Sequence, residues 1–253
     1  QSFALQPGEI RLAPFSLKAP DVGTRTPFDL VLTARKGDEV VYEDVFPITV
    51  FAKTPPPRVE ARVALYDTKG LTEAVLGKAG VSYAKIASPE DLRGFDALII
   101  GRESWDQTMA GHKLAEALRH GLQIISFEQT PDSAIGIHLK QRCERLCYVQ
   151  AEGDDLLKGL GKGDFSNWRG SSDLIEPYPR ITEYPRLYFP HWGNKGIVST
   201  FPIMKGHTGN FRYLVASGYD MREAVLAELF DGNGRLVLCQ ADVTGRYGID
   251  PVA

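Results

Sequence analysis

The sequence has no surplus of basic charge, few cysteines, no long apolar run and no histidine spacing suited to a metal. Its 29 lysines and arginines stand against 32 aspartates and glutamates, a net charge of −3. No basic excess is left to neutralise a run of phosphates, which argues against nucleic-acid binding as the main task. No window approaches the ~20 uninterrupted apolar residues of a membrane span. Cys143, Cys147 and Cys239 cannot all pair with one another and are too few for a disulfide framework. The C-x3-C spacing at 143 and 147 lacks both the tighter spacing and the second ligand pair of a zinc site, so these read as structural or incidental thiols. The histidines at 112, 120, 138, 191 and 207 show neither H-x-H nor H-x-x-x-H spacing, so neither a metal nor a cofactor is expected. A phosphate loop and a G-x-S-x-G elbow are absent too: the cluster at 159–163 has the wrong spacing and no preceding strand.

What is present is the composition of an ordinary globular chain, 253 residues at 43% hydrophobic and 24% charged. It begins at Gln1 with no basic segment and apolar h-region behind it, and reads as a mature or excised piece of something longer. Residues 28–34 and 40–51 read as β-strands around a turn at 36–39, and 10–17 adds another, making three or four. A sandwich needs about seven, so the missing strands are expected upstream. Pro55, Pro56 and Pro57 mark a boundary, because a triple proline suits neither a helix interior nor a central strand. Beyond it the pattern alternates. Strands are read at 59–66, 81–87, 97–101 and 122–127, with helices over 71–79 and 109–120 ending at Gly80 and Gly121. A terminal hairpin spans 224–240, turning on the glycines of Asp231-Gly232-Asn233-Gly234. Continuously apolar strands between short helices predict an α/β fold: a mostly parallel sheet with helices on both faces.

Three phrases carry a resemblance: Gly94-Phe95-Asp96-Ala97-Leu98-Ile99-Ile100-Gly101, Gly121-Leu122-Gln123-Ile124-Ile125-Ser126-Phe127-Glu128, and Gly234-Arg235-Leu236-Val237-Leu238-Cys239-Gln240-Ala241-Asp242. With them residues 59–253 resemble the flavodoxin-like fold of class I glutamine amidotransferases. The likeness is to the degenerate form found as an accessory domain in large bacterial glycoside hydrolases, such as the trimerisation domain of some β-galactosidases. Residues 1–53 are similar to the immunoglobulin-like sandwich domains that flank family 2 glycoside hydrolase barrels, with 54–58 as a linker. The resemblance implies a secreted or periplasmic setting, and partners in the remainder of a larger polypeptide or in further copies of the chain.

The departure from the amidotransferase pattern carries more than the match. Those enzymes set a nucleophilic Cys on a tight turn after a strand, where backbone N–H groups face the oxyanion. Here Glu128 is expected at that elbow, and Cys239-Gln240-Ala241-Asp242 stands where a His and an acid are needed. The expected function is therefore a non-catalytic accessory region of a larger carbohydrate-active enzyme. Two other readings stay open. One is a glycan-acting hydrolase whose paired carboxylates are Glu103 and Glu128, each placed just after a parallel strand; Asp67, Arg102, Gln129 and Asp242 share that edge as candidate ligand-binding residues. The other is a carbohydrate-binding module in which Trp168, Tyr178, Tyr184, Tyr188 and Trp192 stack on sugars, although such aromatics more often fill a core or an interface.

Overall fold

The computed structural model describes residues 4–53, 55–90, 92–109, 112–175, 193–206 and 209–253. The chain divides into two compact units, Gln1–Pro55 and Pro56–Ala253.

In the first unit, β1 (Thr26–Lys36) and β2 (Glu39–Val50) form one antiparallel hairpin through a two-residue turn in which Gly37 has φ 61°. The register places Phe28 opposite Ile48 and Leu30 opposite Phe46, so these apolar side chains share one face. The expected strand at 10–17 does not form. Pro14 removes a ladder donor there, and Ile10 and Leu12 are 90% and 91% exposed. Two strands therefore replace the three or four expected, and no second sheet lies among the described residues of this unit.

The second unit is built on one nine-stranded sheet. In chain order its elements are β3 (Val63–Tyr66), α1 (Leu71–Ala79), β4 (Ala84–Lys85), β5 (Ala97–Ile100), α2 (His112–Arg119), β6 (Gln123–Ser126) and β7 (Tyr148–Val149). There follow β8 (Trp168–Ser171), β9 (Lys195–Gly196), β10 (Ile203–Met204), β11 (Phe211–Ser217), β12 (Glu223–Asp231), β13 (Gly234–Cys239) and α3 (Val243–Arg246). The spatial order is β4-β3-β5-β6-β13-β12-β11-β7, with β10 pairing β12 and with β8 and β9 forming a separate pair. Neighbours from β4 to β13 run parallel, whereas β12, β11, β7 and β10 pair antiparallel. The sheet is thus mixed rather than mostly parallel. Helix is sparse, and the expected helical layers reduce to three short α-helices and one 3-10 turn among the described residues. The reason lies in residues 128–175, where Pro131, Gly136, Gly153, Gly159, Gly161 and Gly163 break any 3.6-residue period. That stretch forms isolated bridges instead, Leu139 to Ile203, Glu144 to Ser199 and Leu146 to Ser166. No helix among the described residues is long and apolar enough to cross a membrane.

The short parallel strands are apolar on both faces, as a covered sheet requires. Ala64, Tyr66, Leu98, Ile100 and Ile124 cluster with Leu114 and Leu118 of α2, while Val63, Leu65 and Ile99 cluster with Leu76 of α1. A third cluster joins Leu214, Val225 and Val237 to Phe165 and Trp168. The turn between β12 and β13 seats against the end of α2, where a Cβ on Gly234 would lie 1.9 Å from the carbonyl oxygen of Leu118. Only glycine fits that approach.

Candidate functional site

The polar residues after the parallel strands converge, and they converge inward. Asp67 follows β3, Arg102 and Glu103 follow β5, Glu128 and Gln129 follow β6, and Asp242 follows β13. Asp67 is buried, and its Oδ1 accepts from the backbone N–H of Lys69 at 3.2 Å and Gly70 at 3.0 Å. Its Oδ2 accepts from Glu73 N–H at 2.7 Å. These bonds satisfy donors at the start of α1, so Asp67 acts as a cap. Gln129 is fully buried: its Oε1 accepts from Trp105 N–H at 2.9 Å, and its Nε2 donates to the carbonyls of Gly101 at 2.8 Å and Phe127 at 2.7 Å. Gln240 closes a clasp with it, Oε1 accepting from Gln129 N–H at 2.8 Å and Nε2 donating to Gln129 O at 3.0 Å. Two amides thereby tie the ends of β5, β6 and β13 together.

Glu128 is 1% exposed. Its Oε1 accepts from Thr244 N–H at 2.8 Å, and its Oε2 shares a hydrogen bond with Thr244 Oγ1 at 2.8 Å. Burial, and then the negative charge of Asp242, push its carboxyl up to about 8, against the opposing pull of the Thr244 bonds. Thr244 donates to both carboxyl oxygens, its N–H to Oε1 and its hydroxyl to Oε2. Asp242 and Arg246, both 0% exposed, form an i,i+4 ion pair at 3.2 Å. Burial holds Asp242 above the usual carboxylate range, although Arg246 and Arg102 draw it down. Its Oδ1 has no hydrogen-bond partner among the described residues. Gly245 roofs this atom so closely that a Cβ would lie 2.5 Å from it and 3.2 Å from an Arg102 nitrogen. Arg246 also donates to the carbonyl of Arg169 at 3.0 Å and of Ile197 at 3.4 Å.

Arg102, 2% exposed, donates from Nη2 to Asp173 Oδ1 at 2.6 Å and from Nε to Glu103 Oε1 at 3.2 Å. Burial works against its charge, and Asp173, Glu128 and Asp242 more than restore it. Glu103 is the one half-exposed carboxylate of the set and has φ 54°. It corrects the expected elbow. The left-handed non-glycine residue following a parallel strand is Glu103 after β5, whereas Glu128 is not left-handed, and its carbonyl accepts the N–H of Glu103 at 2.8 Å.

Of the remaining candidates, Trp168 does not join this group. Trp168 is 3% exposed, donates from Nε1 to the carbonyl of Asp164 at 2.7 Å and packs in the third core cluster. It is a core residue and offers no face to a sugar. Tyr178, Tyr184, Tyr188 and Trp192 lie outside the described residues. Cys143, Cys147 and Cys239 are free, and burial raises all three thiols above their ordinary pKa, which disfavours a thiolate nucleophile. Thr244, Arg246, Gln240 and Asp173 belong to the group and were missed from the sequence. The i,i+4 spacing of Asp242 and Arg246 was a usable signal; nothing local announces Asp173.

No protein-family model matches the chain, so the expected kinship with class I amidotransferases finds no support there. No curated protein matches it either. Among solved structures it shows a remote likeness to a cold-adapted β-galactosidase of Rahnella sp. R3, at 15% identity and a TM-score of 0.37, over 73% of this chain. The chain spans 29% of that enzyme's length. Two cytoplasmic proteins of Salmonella typhimurium are similarly remote. One has 11% identity and a TM-score of 0.35 over 89% of this chain and 90% of its own; the other has 9% and 0.34 over 88% of each.

Chemically, the edge is spent on the fold. Glu128, Gln129, Asp67 and Asp242 are buried and engaged by groups of the same chain, while Glu103 and Asp173 keep access to solvent.

Proposed function

We propose that this chain is a non-catalytic accessory region of a larger carbohydrate-active enzyme, with 1–53 as a sandwich segment, 54–58 as a linker and 59–253 as an amidotransferase-like domain. One observation carries the non-catalytic part: Glu128, the buried member of the carboxylate pair, has both oxygens bonded to Thr244, and Gly245 roofs the neighbouring Asp242. Glycoside hydrolysis needs two carboxyl groups facing a substrate-sized cleft, and thioester chemistry needs a thiolate; Glu128 is buried away from any substrate, and burial disfavours a thiolate at Cys143, Cys147 and Cys239. The carbohydrate setting is supported by the sequence resemblance. Partners in the remainder of a larger polypeptide or in a second copy are supported by the hairpin, whose Phe28, Leu32, Phe46 and Ile48 stay exposed on one face.

A glycan-acting hydrolase is the second reading, and Glu103 is the observation that favours it. A left-handed non-glycine residue at a strand end is a form of strain that collects at active sites, and it sits beside a carboxyl raised far enough to act as a general acid. Assay of the chain against a panel of nitrophenyl glycosides and L-glutamine decides between the two. No turnover is expected. Turnover abolished by Glu103→Gln or Glu128→Gln, with the circular dichroism spectrum unchanged, would establish the hydrolase.

A further inference from the structure

The two edges of the β1–β2 hairpin are not alike. Along β2, Pro47 has no N–H to give to a further strand. The register passes from Ala34 opposite Tyr42 to Arg35 opposite Val40, which leaves Val41 as an extra, bulged residue on the same strand. Glu39, Glu43 and Asp44 add negative charge, and β2 holds no lysine or arginine. Proline, a bulge and charge of one sign are the features that keep an edge strand from pairing with another chain. β1 has neither proline nor bulge from Phe28 to Lys36, and its charges there, Asp29, Arg35 and Lys36, are of both signs. No strand pairs with its outer edge among the described residues. One edge of the hairpin is guarded and the other is open.

The strand that fits the open edge can be read from β1 itself. Two copies laid antiparallel about a two-fold axis normal to the sheet keep each side chain on its own face, so the axis passes through a residue. With the axis at Leu32, Asp29 falls opposite Arg35, and symmetry makes this pair twice. Leu30 falls opposite Ala34, Val31 opposite Thr33 and Phe28 opposite Lys36. Within its own hairpin Asp29 faces Pro47 and Arg35 faces Val40, so neither meets an opposite charge directly across the ladder. The Arg35 guanidinium donates to the carbonyl of Asp38 in the turn at 3.2 Å. An axis at Val31 sets Asp29 opposite Thr33 and brings Pro27 into the ladder, and an axis at Thr33 sets Arg35 opposite Val31. The Leu32 register alone joins the charges and keeps proline out.

The same pairing extends the apolar face of the hairpin. Phe28, Leu32, Phe46 and Ile48 are exposed on one side, and an isolated two-stranded ribbon is marginal in water. Joining two hairpins through β1 gives a four-stranded sheet on which that face runs unbroken across the axis.

We infer that two copies of this chain associate through the outer edge of β1, antiparallel and centred on Leu32. The inference names a second copy as the partner, and it rests on the accessory reading for one point, that the hairpin is a contact surface. The test is sedimentation of the full chain over about 1 to 200 μM, where a monomer–dimer equilibrium is expected. Asp29→Arg and Arg35→Asp each set like charges across the axis twice and are each expected to weaken the dimer roughly tenfold. The double variant restores opposite charges and is expected to recover the wild-type association to within about twofold. Recovery separates a lost contact from a damaged hairpin, because two independent lesions do not repair each other. The register is read by cysteine cross-linking. Residues facing across an antiparallel pair have Cα atoms about 4.5 to 5.5 Å apart, within the reach of a disulfide, so Leu32→Cys is expected to give a reducible dimer. Leu30→Cys places its two thiols four residues apart along the ladder, about 13 Å, and is expected to give none. The inference is overturned by a monomer throughout the range, by single variants that associate as wild type, by a double variant that does not recover, or by cross-linking at Leu30→Cys in preference to Leu32→Cys. Species that grow beyond the dimer with concentration would overturn it too, since they mean that β1 takes the β2 edge of the next copy. A monomeric chain would leave the rest of a larger polypeptide as the partner and the non-catalytic reading intact, whereas turnover of nitrophenyl glycosides would remove that reading and leave the dimer standing.

Discussion

Replacing Glu128 by Gln keeps both hydrogen bonds and removes a titration. The amide oxygen accepts from Thr244 N–H as Oε1 does, and the amide nitrogen, in the place of Oε2, turns the second bond round by donating to Thr244 Oγ1. In the unfolded chain the carboxyl loses its proton near 4.5, whereas in the fold burial and Asp242 raise it to about 8. Between these values the folded state holds one more proton than the unfolded state, so stability falls as pH rises, by at most about 1.4 kcal/mol per pH unit. Below 4.5 both states are protonated and the term is constant; above 8 both are ionised and it levels off. Asp242 and Glu144, also raised, slope the same way, so the informative quantity is the difference between wild type and Glu128→Gln. Urea denaturation at pH 5 and pH 8, followed by tryptophan fluorescence, reads the second unit through the buried Trp105 and Trp168. The two proteins are expected to agree at pH 5 to within about 1 kcal/mol. At pH 8 the variant is expected to be the more stable, by up to about 4 kcal/mol. A variant destabilised equally at both pH values would show that Glu128 is ionised throughout and would refute the reasoning.

Gly245→Ala drives a methyl group into Asp242 and Arg102 and is expected to cost about 1–3 kcal/mol by the same denaturation assay, because both neighbours are buried. Arg246→Met strands the Asp242 carboxylate without its ion pair and two backbone carbonyls without their donor, for an expected loss of about 3–5 kcal/mol; a loss below about 1 kcal/mol would mean that the pair holds nothing together. With a disulfide reagent at neutral pH, Cys147 is expected to stay unreacted until the chain unfolds while half-buried Cys143 reacts slowly, and a fast stoichiometric burst from any of the three would contradict their raised pKa values.

How much of this was legible in the sequence depended on how local its cause was. The strands at 97–100 and 123–126, helix 71–79 and the hairpin closing on Gly232 and Gly234 follow from apolar runs and glycine stops, and they form where those signals lie. The antiparallel half of the sheet was not legible, since β7 and β10 are two-residue strands fixed by partners about 20 to 70 positions away. Residues 10–17 carry apolar side chains like a strand yet join no strand ladder among the described residues, because such a pattern states what a segment can bury and not whether a neighbouring strand exists. At the site, the strand-end rule correctly located Asp67, Arg102, Glu128, Gln129 and Asp242 on one edge. It was silent on whether they face outward. Thr244 in α3 engages Glu128 and Asp173 engages Arg102, and neither partner lies in a segment with a strong pattern of its own.

The position of β13 sets the order in which this molecule can be completed. It follows every other described strand in the chain, yet it is the one joining β6 on its parallel side to β12 on its antiparallel side. Until it leaves the ribosome, β4-β3-β5-β6 and β12-β11-β7 are separate ribbons, each with a naked apolar edge, and α2 lacks the surface under Leu118. Closure pairs residues more than a hundred positions apart, Leu236 with Ile124. Such a long loop makes late, slow assembly and exposure to chaperones the natural course for the nascent chain.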